Sequence, residues 1–279
     1  FDAYVISDVP KGSGLSSSAS FEVLIACIFN ELFNAGRVKP ETMALAGQYA
    51  ENVFFGKPCG LMDQMASAYG GIISIDFKDS GNLVIKRVDI DFAQSGYIPV
   101  YVKTGDSHAD LTHEYAAITD EMGMIANYFG SKKLRFVAES DFYAAMPELI
   151  EKMPGRAILR AMHYFNENKR VSSAVEYLAV NNINGFLACV NESGTSSWEL
   201  LQNCYSGSEQ RTTVALALAK KLLGNDGAVR VHGGGFGGGI LLFVPTQELD
   251  KVKTEMDHVL GAGSSSTLYL RRAGACKLI

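Results

Sequence analysis

The chain has 279 residues, enough for one large domain or two ordinary ones, and 47% of them are apolar, which is sufficient for a full core. Its 25 Lys and Arg against 30 Asp and Glu give a formal net charge of −5. This charge argues against nucleic acid or membrane as the main partner, because both select basic surfaces. Apolar runs are far shorter than a membrane-spanning helix, and five widely spaced cysteines indicate reduced thiols, so a cytoplasmic protein is predicted.

The chain opens with a predicted strand followed by a long helix. Residues 1–9 alternate like the middle of a sheet strand, and because the chain starts inside this pattern at Phe1, we expect a fragment without its N-terminal part. Helical periodicity follows, and Gly36 suits the C-terminal cap. The predicted apolar face of this helix consists of Phe21, Leu24, Ile25, Ile28, Phe29, Leu32 and Phe33.

Two helices and three strands are predicted next. Pro40 fits the first turn of a helix that reaches about residues 51–54, and a short helix beginning in GKPCGLMDQ ends at Gly70-Gly71. The segments IISIDF, NLVIKRVDI and YIPVYVKTG read as strands, the first two as a pair.

The remainder is mainly helical from about residue 110 to 225 and then returns to strand. ILLFVP predicts a strand, TQELDKVKTEMDHVLG a helix and STLYLRR a last strand. Strands and helices without regular βαβ alternation predict an α+β fold. The shift to helix places a domain boundary near residue 95, which gives domains 1–95 and 96–279.

The segment VPKGSGLSSSAS, residues 9–20, puts glycines and three consecutive serines where the first long helix begins. It lacks the lysine of a Walker A loop and the last glycine of a Rossmann fingerprint. Small residues let backbone N–H groups approach phosphate oxygens, and a helix N-terminus adds a positive dipole end. The pattern favours a phosphate site over an ordinary N-cap by Ser16 or Ser17. The proposed site comprises Gly12, Ser13, Gly14, Leu15, Ser16, Ser17 and Ser18.

A second glycine cluster, VHGGGFGGGILLFVP at residues 231–245, matches GxGxxG by coincidence, because it runs into a strand and not a helix. Its glycines predict that another backbone or a ligand comes very close, with a merely tight strand turn as the alternative. The adjacent His232 is read as a packing residue in preference to a site residue.

The polar segment GDSHADLTHEY, residues 105–115, offers a conceivable zinc site. A polar loop that opens a helix is the favoured interpretation, because neither an HExxH pattern nor paired cysteines are present. The candidate ligands are Asp106, His108, Asp110, His113 and Glu114.

Together these stretches resemble the GHMP kinase family. VPKGSGLSSSAS is similar to the second motif of that family, its phosphate loop, and VRVHGGGFGGGILLFVP is similar to the third. The triple serine, AENVFFGKPCGLMDQMASAYGG and THEYAAI most resemble the members that phosphorylate galactose at its anomeric 1-hydroxyl. The resemblance implies a two-domain fold, with a partial N-terminal domain of the ribosomal protein S5 domain 2-like type. The second domain would be ferredoxin-like with added helices.

The resemblance also implies roles for individual residues. Residues 12–18 would wrap the phosphates of ATP, Ser18 and Glu51 would bind Mg²⁺, and Asp63 would be the catalytic carboxylate beside the sugar hydroxyl. The implied sugar contacts are Asp63, Tyr115, Gly234 and Gly235. From the residues alone, Glu51 reads as a solvated helix residue and Asp63 as an exposed or partly desolvated helix aspartate.

One departure from the family is that its first motif, R-x-E-x-x-D/H-x-x-D, does not occur here, nor does most of the segment that holds adenine. We therefore expect part of a longer kinase that need not be active by itself, acts on galactose and ATP, and is a monomer or weak homo-oligomer. Two alternatives stay open: a related kinase of another small alcohol, and a non-enzymatic sugar sensor.

Overall fold

The computed structural model describes residues 1–9, 14–56, 59–79, 81–105, 111–207 and 210–278. The chain forms two compact units, one from Phe1–Ile90 with Tyr269–Ile279 and the other from Asp91–Leu268. The division therefore falls at Ile90 and not at residue 95. The C-terminal segment, which the prediction placed in the second domain, packs with the first unit instead.

The first unit is built mainly from helices. Its described elements are α1 (Ser17–Asn34), α2 (Pro40–Tyr49), a π-helical turn (Ala50–Phe54), α3 (Met62–Tyr69) and an antiparallel pair, β1 (Ile72–Asp76) with β2 (Val84–Val88). Its core centres on Val23, Ala44, Met65 and Ala68. All three helices contribute to this core, so it fixes the residues on α1, α2 and α3 relative to one another.

The C-terminal segment joins the first unit through very close backbone contacts. The Gly71 N–H donates to the carbonyl of Arg271 at 2.7 Å. A Cβ at Gly70 would lie 2.4 Å from the carbonyl of Ala273, and one at Gly274 would lie 1.8 Å from the carbonyl oxygen of Ala68. Only glycine fits at these two crossings, and a periodicity argument cannot detect such a nonlocal requirement.

Two predictions for the first unit are wrong. Residues 1–9 form no strand in the part of the chain that the structure describes, and a strand needs a neighbour to pair with. The predicted apolar face of α1 is also largely exposed, with Phe33 65% and Phe29 48% accessible. The helix instead buries Ala19, Val23, Cys27 and Asn30. Periodicity identified an apolar stripe, but the smaller side chains are the ones that face the core.

The second unit contains a four-stranded sheet within the described residues. Its strands are β3 (Tyr97–Lys103), β4 (Ala228–Val231), β5 (Gly239–Pro245) and β6 (Ser265–Thr267), in the order β4-β5-β3-β6 with every neighbouring pair antiparallel. Helices cross over between β3 and β4, and α10 (Leu249–Leu260) crosses over between β5 and β6. This is the predicted ferredoxin-like topology. The last predicted strand is shorter than expected, because the chain leaves the sheet after Thr267.

The first crossover holds the added helices that the resemblance implied. They are α4 (Thr112–Tyr128), α5 (Glu139–Ala144), α6 (Met146–Lys152), α7 (Gly155–Ala179), α8 (Ile183–Ser196) with a π-helical extension (Ser197–Leu201), and α9 (Arg211–Leu223). One core joins the sheet to α9 and α10, and a second lies among α4 to α7 around Phe142 and Leu149. Of the residues that the resemblance assigns to the sugar, Tyr115 therefore lies on α4, and Gly234 and Gly235 lie between β4 and β5 of the sheet.

None of the helices in the described ranges is both long and apolar enough to cross a membrane. All five cysteines lie in those ranges and are free thiols. Burial raises the pKa of the Cys204 thiol to about 12, so this thiol remains protonated at neutral pH.

Candidate active site

The serine-rich segment leads directly into α1. Its first two predicted site residues, Gly12 and Ser13, lie outside the described residues. Gly14 and Ser16 both adopt a left-handed backbone, with φ of 77° and 58°. Ser16 is the N-cap residue, yet within the described structure its side chain makes no capping hydrogen bond. The ordinary N-cap interpretation therefore does not explain why a serine is held in this costly conformation.

The N-terminal end of α1 carries no acidic side chain of its own. Among its described residues, the first turn of α1 contains none. The helix therefore adds no negative charge in this turn to the positive end of its dipole. Leu15, Ser17 and Ser18 of the predicted phosphate site lie at this end, with Ser17 as the first residue of the helix.

Ser18 and Glu51 meet although 33 residues separate them. The Ser18 Oγ donates a hydrogen bond to Glu51 Oε1 at 3.1 Å. Glu51 lies in the π-helical turn after α2 and is only 4% exposed. The interpretation of Glu51 as a solvated helix residue is therefore wrong, because its side chain is buried and binds the side chains of other helices. Turns of π-helix are common at functional sites.

These two side chains fit Mg²⁺ chemically. One hydroxyl and one carboxylate supply hard oxygen donors, and Mg²⁺ takes few protein oxygens while keeping several waters. Both residues line an open cavity of about 790 Å³, which α1, α2 and the π-helical turn form with mostly apolar side chains. The donor set thus agrees with the pair that the resemblance assigns to the metal.

A buried glutamine completes this group. Gln64 is 1% exposed, and its Nε2 donates to Glu51 Oε2 and to Glu22 Oε2, both at 3.1 Å. Sequence reasoning missed Gln64 and Glu22. The only available signal was a polar residue at a core position. Gln64 lies beside the buried Met65 on α3, one helical turn before the buried Ala68.

Asp63 lies in the first turn of α3, immediately before Gln64. Its side chain is half-buried, which agrees with the partly desolvated interpretation. Of the two methionines that flank it in sequence, Met65 is fully buried and Met62 is 58% exposed. Asp63 therefore lies on the same short helix as Gln64, whose amide binds Glu51.

In the second unit, Tyr115 and the glycine turn are in direct contact. The Tyr115 hydroxyl donates to the carbonyl of Gly235 at 2.8 Å, and its ring packs edge-on against Phe236 at 5.2 Å. A Cβ at Gly234 would come within 3.2 Å of the tyrosine ring. Burial raises the pKa of Tyr115, so its hydroxyl keeps the proton that it donates. The three predicted sugar contacts of this unit are thus together.

Asn203 holds the other side of the same turn. Its side-chain Nδ2 donates to the carbonyl of Gly234 at 3.0 Å. The backbone carbonyl of Asn203 accepts from the N–H of Phe236 at 2.5 Å. Gly235 has φ +73°, and a Cβ there would lie 2.2 Å from the Asn203 carbonyl oxygen. At Gly235 the prediction that a glycine of this cluster allows another backbone to come very close is confirmed. No sequence pattern marks Asn203 as a site residue. It lies two residues after the π-helical extension Ser197–Leu201, in a short connection.

The zinc alternative receives no support in the part of the chain that the structure describes. Asp106, His108 and Asp110 lie outside that part, and within it no three metal-binding side chains are grouped. The His113 Nε2 lies 3.6 Å from Glu114 Oε1. The His232 ring packs edge-on against Tyr101 at 5.4 Å, in agreement with a packing role.

Residues 1–71 match the family described as GHMP kinases N terminal domain. The galactokinase of Glaesserella parasuis serovar 5 (strain SH0165) is 33% identical over 252 residues, which cover 90% of this chain and 63% of that protein. The galactokinase of Actinobacillus pleuropneumoniae is 32% identical with the same coverage. The chain therefore spans just under two thirds of the length of these curated relatives.

Solved structures show the same relationship. The crystal structure of Lactococcus lactis galactokinase complexed with galactose has a TM-score of 0.75 and 25% identity, and the match covers 97% of this chain and 68% of that one. The L. major mevalonate kinase in complex with R-mevalonate has a TM-score of 0.62 at 16% identity, covering 93% and 67%, and shows a shared fold. The predicted α+β fold is confirmed: the chain shares the fold of these two kinases, and its residues 1–71 match the N-terminal domain of the GHMP kinases.

Proposed function

We propose that this chain is part of a galactokinase, which transfers the γ-phosphoryl group of ATP to the anomeric 1-hydroxyl of galactose. The observation that carries the proposal is the hydrogen bond between Ser18 Oγ and Glu51 Oε1. It joins a serine-rich helix start to a buried carboxylate distant in sequence, which an ordinary helix start does not require. The similarity to two bacterial galactokinases supports galactose as the acceptor.

The phosphates of ATP are assigned to residues 12–18. Glycines and serines in this segment allow backbone N–H groups to approach phosphate oxygens, and the first turn of α1 has no acidic residue of its own to oppose their negative charge. Ser18 and Glu51 would hold Mg²⁺. When bound there, the ion would offset the negative charge of the phosphates, which is most of what phosphoryl transfer requires of a protein besides positioning.

Asp63 is assigned to the acceptor hydroxyl. As the galactose 1-oxygen forms its bond to the γ-phosphorus, the bond from that phosphorus to the β–γ bridging oxygen breaks and ADP leaves. The hydroxyl proton passes to the Asp63 carboxylate. Positioned bases of this kind contribute about 10²–10⁴-fold to the rate.

Tyr115, Gly234 and Gly235 are assigned to binding of the sugar. Their contacts with one another and with Asn203 support a turn of fixed shape, and a fixed shape is what recognition of a small polyol requires. Because Gly234 and Gly235 have no side chains, the turn can bring its backbone polar groups close to a ligand.

The test is formation of galactose 1-phosphate from ATP and galactose by the full-length gene product, followed by ³¹P NMR. Asp63→Asn should lower kcat by about 10²–10⁴-fold. Asp89→Asn, which changes an exposed aspartate of the same unit, should leave kcat unchanged. If the full-length protein makes no galactose 1-phosphate, the proposal is wrong.

The same assay distinguishes the alternatives. Faster turnover of homoserine, mevalonate or another sugar than of galactose would indicate a different kinase of the family. Binding of sugar and ATP without turnover, unchanged in Asp63→Ala, would indicate a sensor. Residues 1–279 alone should bind ATP weakly, and tight, sugar-dependent binding would contradict the expectation that this chain is incomplete.

A further inference from the structure

Gln64 bridges two carboxylates with a single amide nitrogen. A carboxamide NH₂ has two hydrogens, and the two carboxylates within reach, those of Glu22 and Glu51, each lie 3.1 Å from Nε2. The two hydrogens of this nitrogen thus face the two carboxylates, and the sulfur of Cys59 lies farther away at 3.7 Å. Because Glu22 lies on α1, Glu51 on the π-helical turn and Gln64 on α3, one side chain links three elements.

The two oxygens of Glu51 have different partners. Oε1 accepts from the Ser18 hydroxyl and Oε2 accepts from Gln64. A carboxylate held at both oxygens cannot rotate freely about its last side-chain bond, so its orientation toward Ser18 is fixed. Since Glu51 is buried, loss of either donor would leave a carboxylate oxygen without that compensation for its lost hydration.

Gln64 also lies between two acidic side chains. Glu22 and Glu51 both meet the same amide nitrogen. The amide is neutral and offers a hydrogen to each, so it holds both carboxyl groups in place without supplying a competing positive charge. A lysine in its place would pair with Glu51 and oppose the binding of a cation.

We infer that Gln64 is a positioning residue that holds the Glu51 carboxylate in the orientation needed for a divalent cation. The inference rests on the proposed function, because it takes Ser18 and Glu51 as the residues that hold Mg²⁺. Gln64 acts through Glu51 and does not itself touch the metal or the substrates.

The test compares Gln64→Met, which keeps the length of the side chain but removes the donor, with Gln48→Leu. Gln48 is a matched control, since its Nε2 donates to the backbone carbonyl of Cys59 at 3.1 Å in the same region. In the full-length protein with ATP, Mn²⁺ binding is measured by electron paramagnetic resonance, and the Mg²⁺ concentration for half-maximal activity is measured separately. Gln64→Met should weaken Mn²⁺ binding and raise that concentration by about 10–100-fold, as for other groups that orient a metal ligand.

Gln48→Leu should change neither quantity. Unchanged Mn²⁺ binding in a folded Gln64→Met protein would overturn the inference, as would equal weakening in both variants, which would indicate a general structural effect. Should Gln64→Met not fold, Gln64→Leu is measured in its place with the same expected outcome.

Ser18→Ala separates this inference from the proposed function. If Ser18→Ala weakens Mn²⁺ binding and Gln64→Met does not, the metal assignment stands and the inference is wrong. If neither variant weakens it, both are wrong. If Gln64→Met weakens Mn²⁺ binding but the wild-type protein phosphorylates no galactose, the inference stands and the choice of sugar is wrong.

Discussion

The group around Glu51 and the turn around Gly235 are both assembled from distant parts of the sequence, but by different forces. Around Glu51, side chains bind side chains: a hydroxyl and an amide donate to a buried carboxylate. At Gly235, side chains bind backbone, because Tyr115 and Asn203 both donate to carbonyls of the turn. The first arrangement fixes a charge and the second fixes a shape. Substitutions should therefore affect metal use in the first and sugar fit or folding in the second.

The largest expected effect is a loss of activity when the negative charge of Glu51 is removed. Glu51→Gln keeps the size of the side chain but removes its negative charge, so a bound cation would lose its carboxylate. We expect kcat/KM to fall by about 100-fold or more, which corresponds to about 2.7 kcal/mol. Steady-state kinetics at increasing Mg²⁺ measures this. An unchanged kcat/KM would remove Glu51 from the metal site and leave the first group with a structural role only.

The next effect concerns the shape of the turn. Gly235→Ala combines a left-handed backbone with a Cβ that would clash with the Asn203 carbonyl, so we expect the free energy of unfolding to fall by about 2–4 kcal/mol. Gly233→Ala is the control, because its φ is +58° but a Cβ there meets nothing within 4 Å. It should lose only about 1 kcal/mol. Urea denaturation that gives equal losses would show that the close contact is unimportant.

A smaller effect is expected from Tyr115→Phe. Loss of the hydroxyl leaves the Gly235 carbonyl without this donor, which we expect to reduce the free energy of unfolding by about 1 kcal/mol. If the turn serves the sugar, KM for galactose should rise more than KM for ATP. A rise confined to ATP would contradict the division of roles between the two groups.

The smallest expected effect concerns the pH dependence of stability and arises at His163, which belongs to neither group. Burial lowers the pKa of His163, and Arg230 and Arg170 lower it further, against the opposing charge of Glu167. In the unfolded chain histidine titrates near about pH 6.5. The contribution of His163 to stability is therefore complete above that pH and is lost as the pH falls below it, with a slope of at most about 1.4 kcal/mol per pH unit.

His163→Gln should reduce the decrease in the free energy of unfolding that occurs as the pH falls below about 6.5. His258→Gln, at an exposed histidine on α10, is the control and should leave that fall unchanged. Denaturation curves at a series of pH values measure both variants. An identical pH dependence in His163→Gln and the wild type would show that His163 is not responsible for it.

Sequence patterns predicted what depends on local chemistry. The start of α1 at the serines, the strand ILLFVP and the ferredoxin-like order of the sheet all follow from local signals combined with the family resemblance. The hydrogen bond of Ser18 to Glu51, the double contact of Gln64 and the position of Asn203 do not, because they depend on which residues meet in space. The predicted apolar face of α1 shows the same limit. Periodicity identifies an apolar stripe, but it does not show which side of the helix packs against α2 and α3.

The return of residues 269–278 to the first unit bears on how the protein is made. During synthesis on the ribosome, the whole second unit emerges before the segment that packs against Gly70 and Gly71 exists outside the exit tunnel. Until then that side of α3 stays uncovered, whereas the four described strands of the second unit are all present once β6 has emerged. A stop codon near residue 268 would keep those strands and remove the segment that packs with the unit carrying Ser18, Glu51 and Asp63.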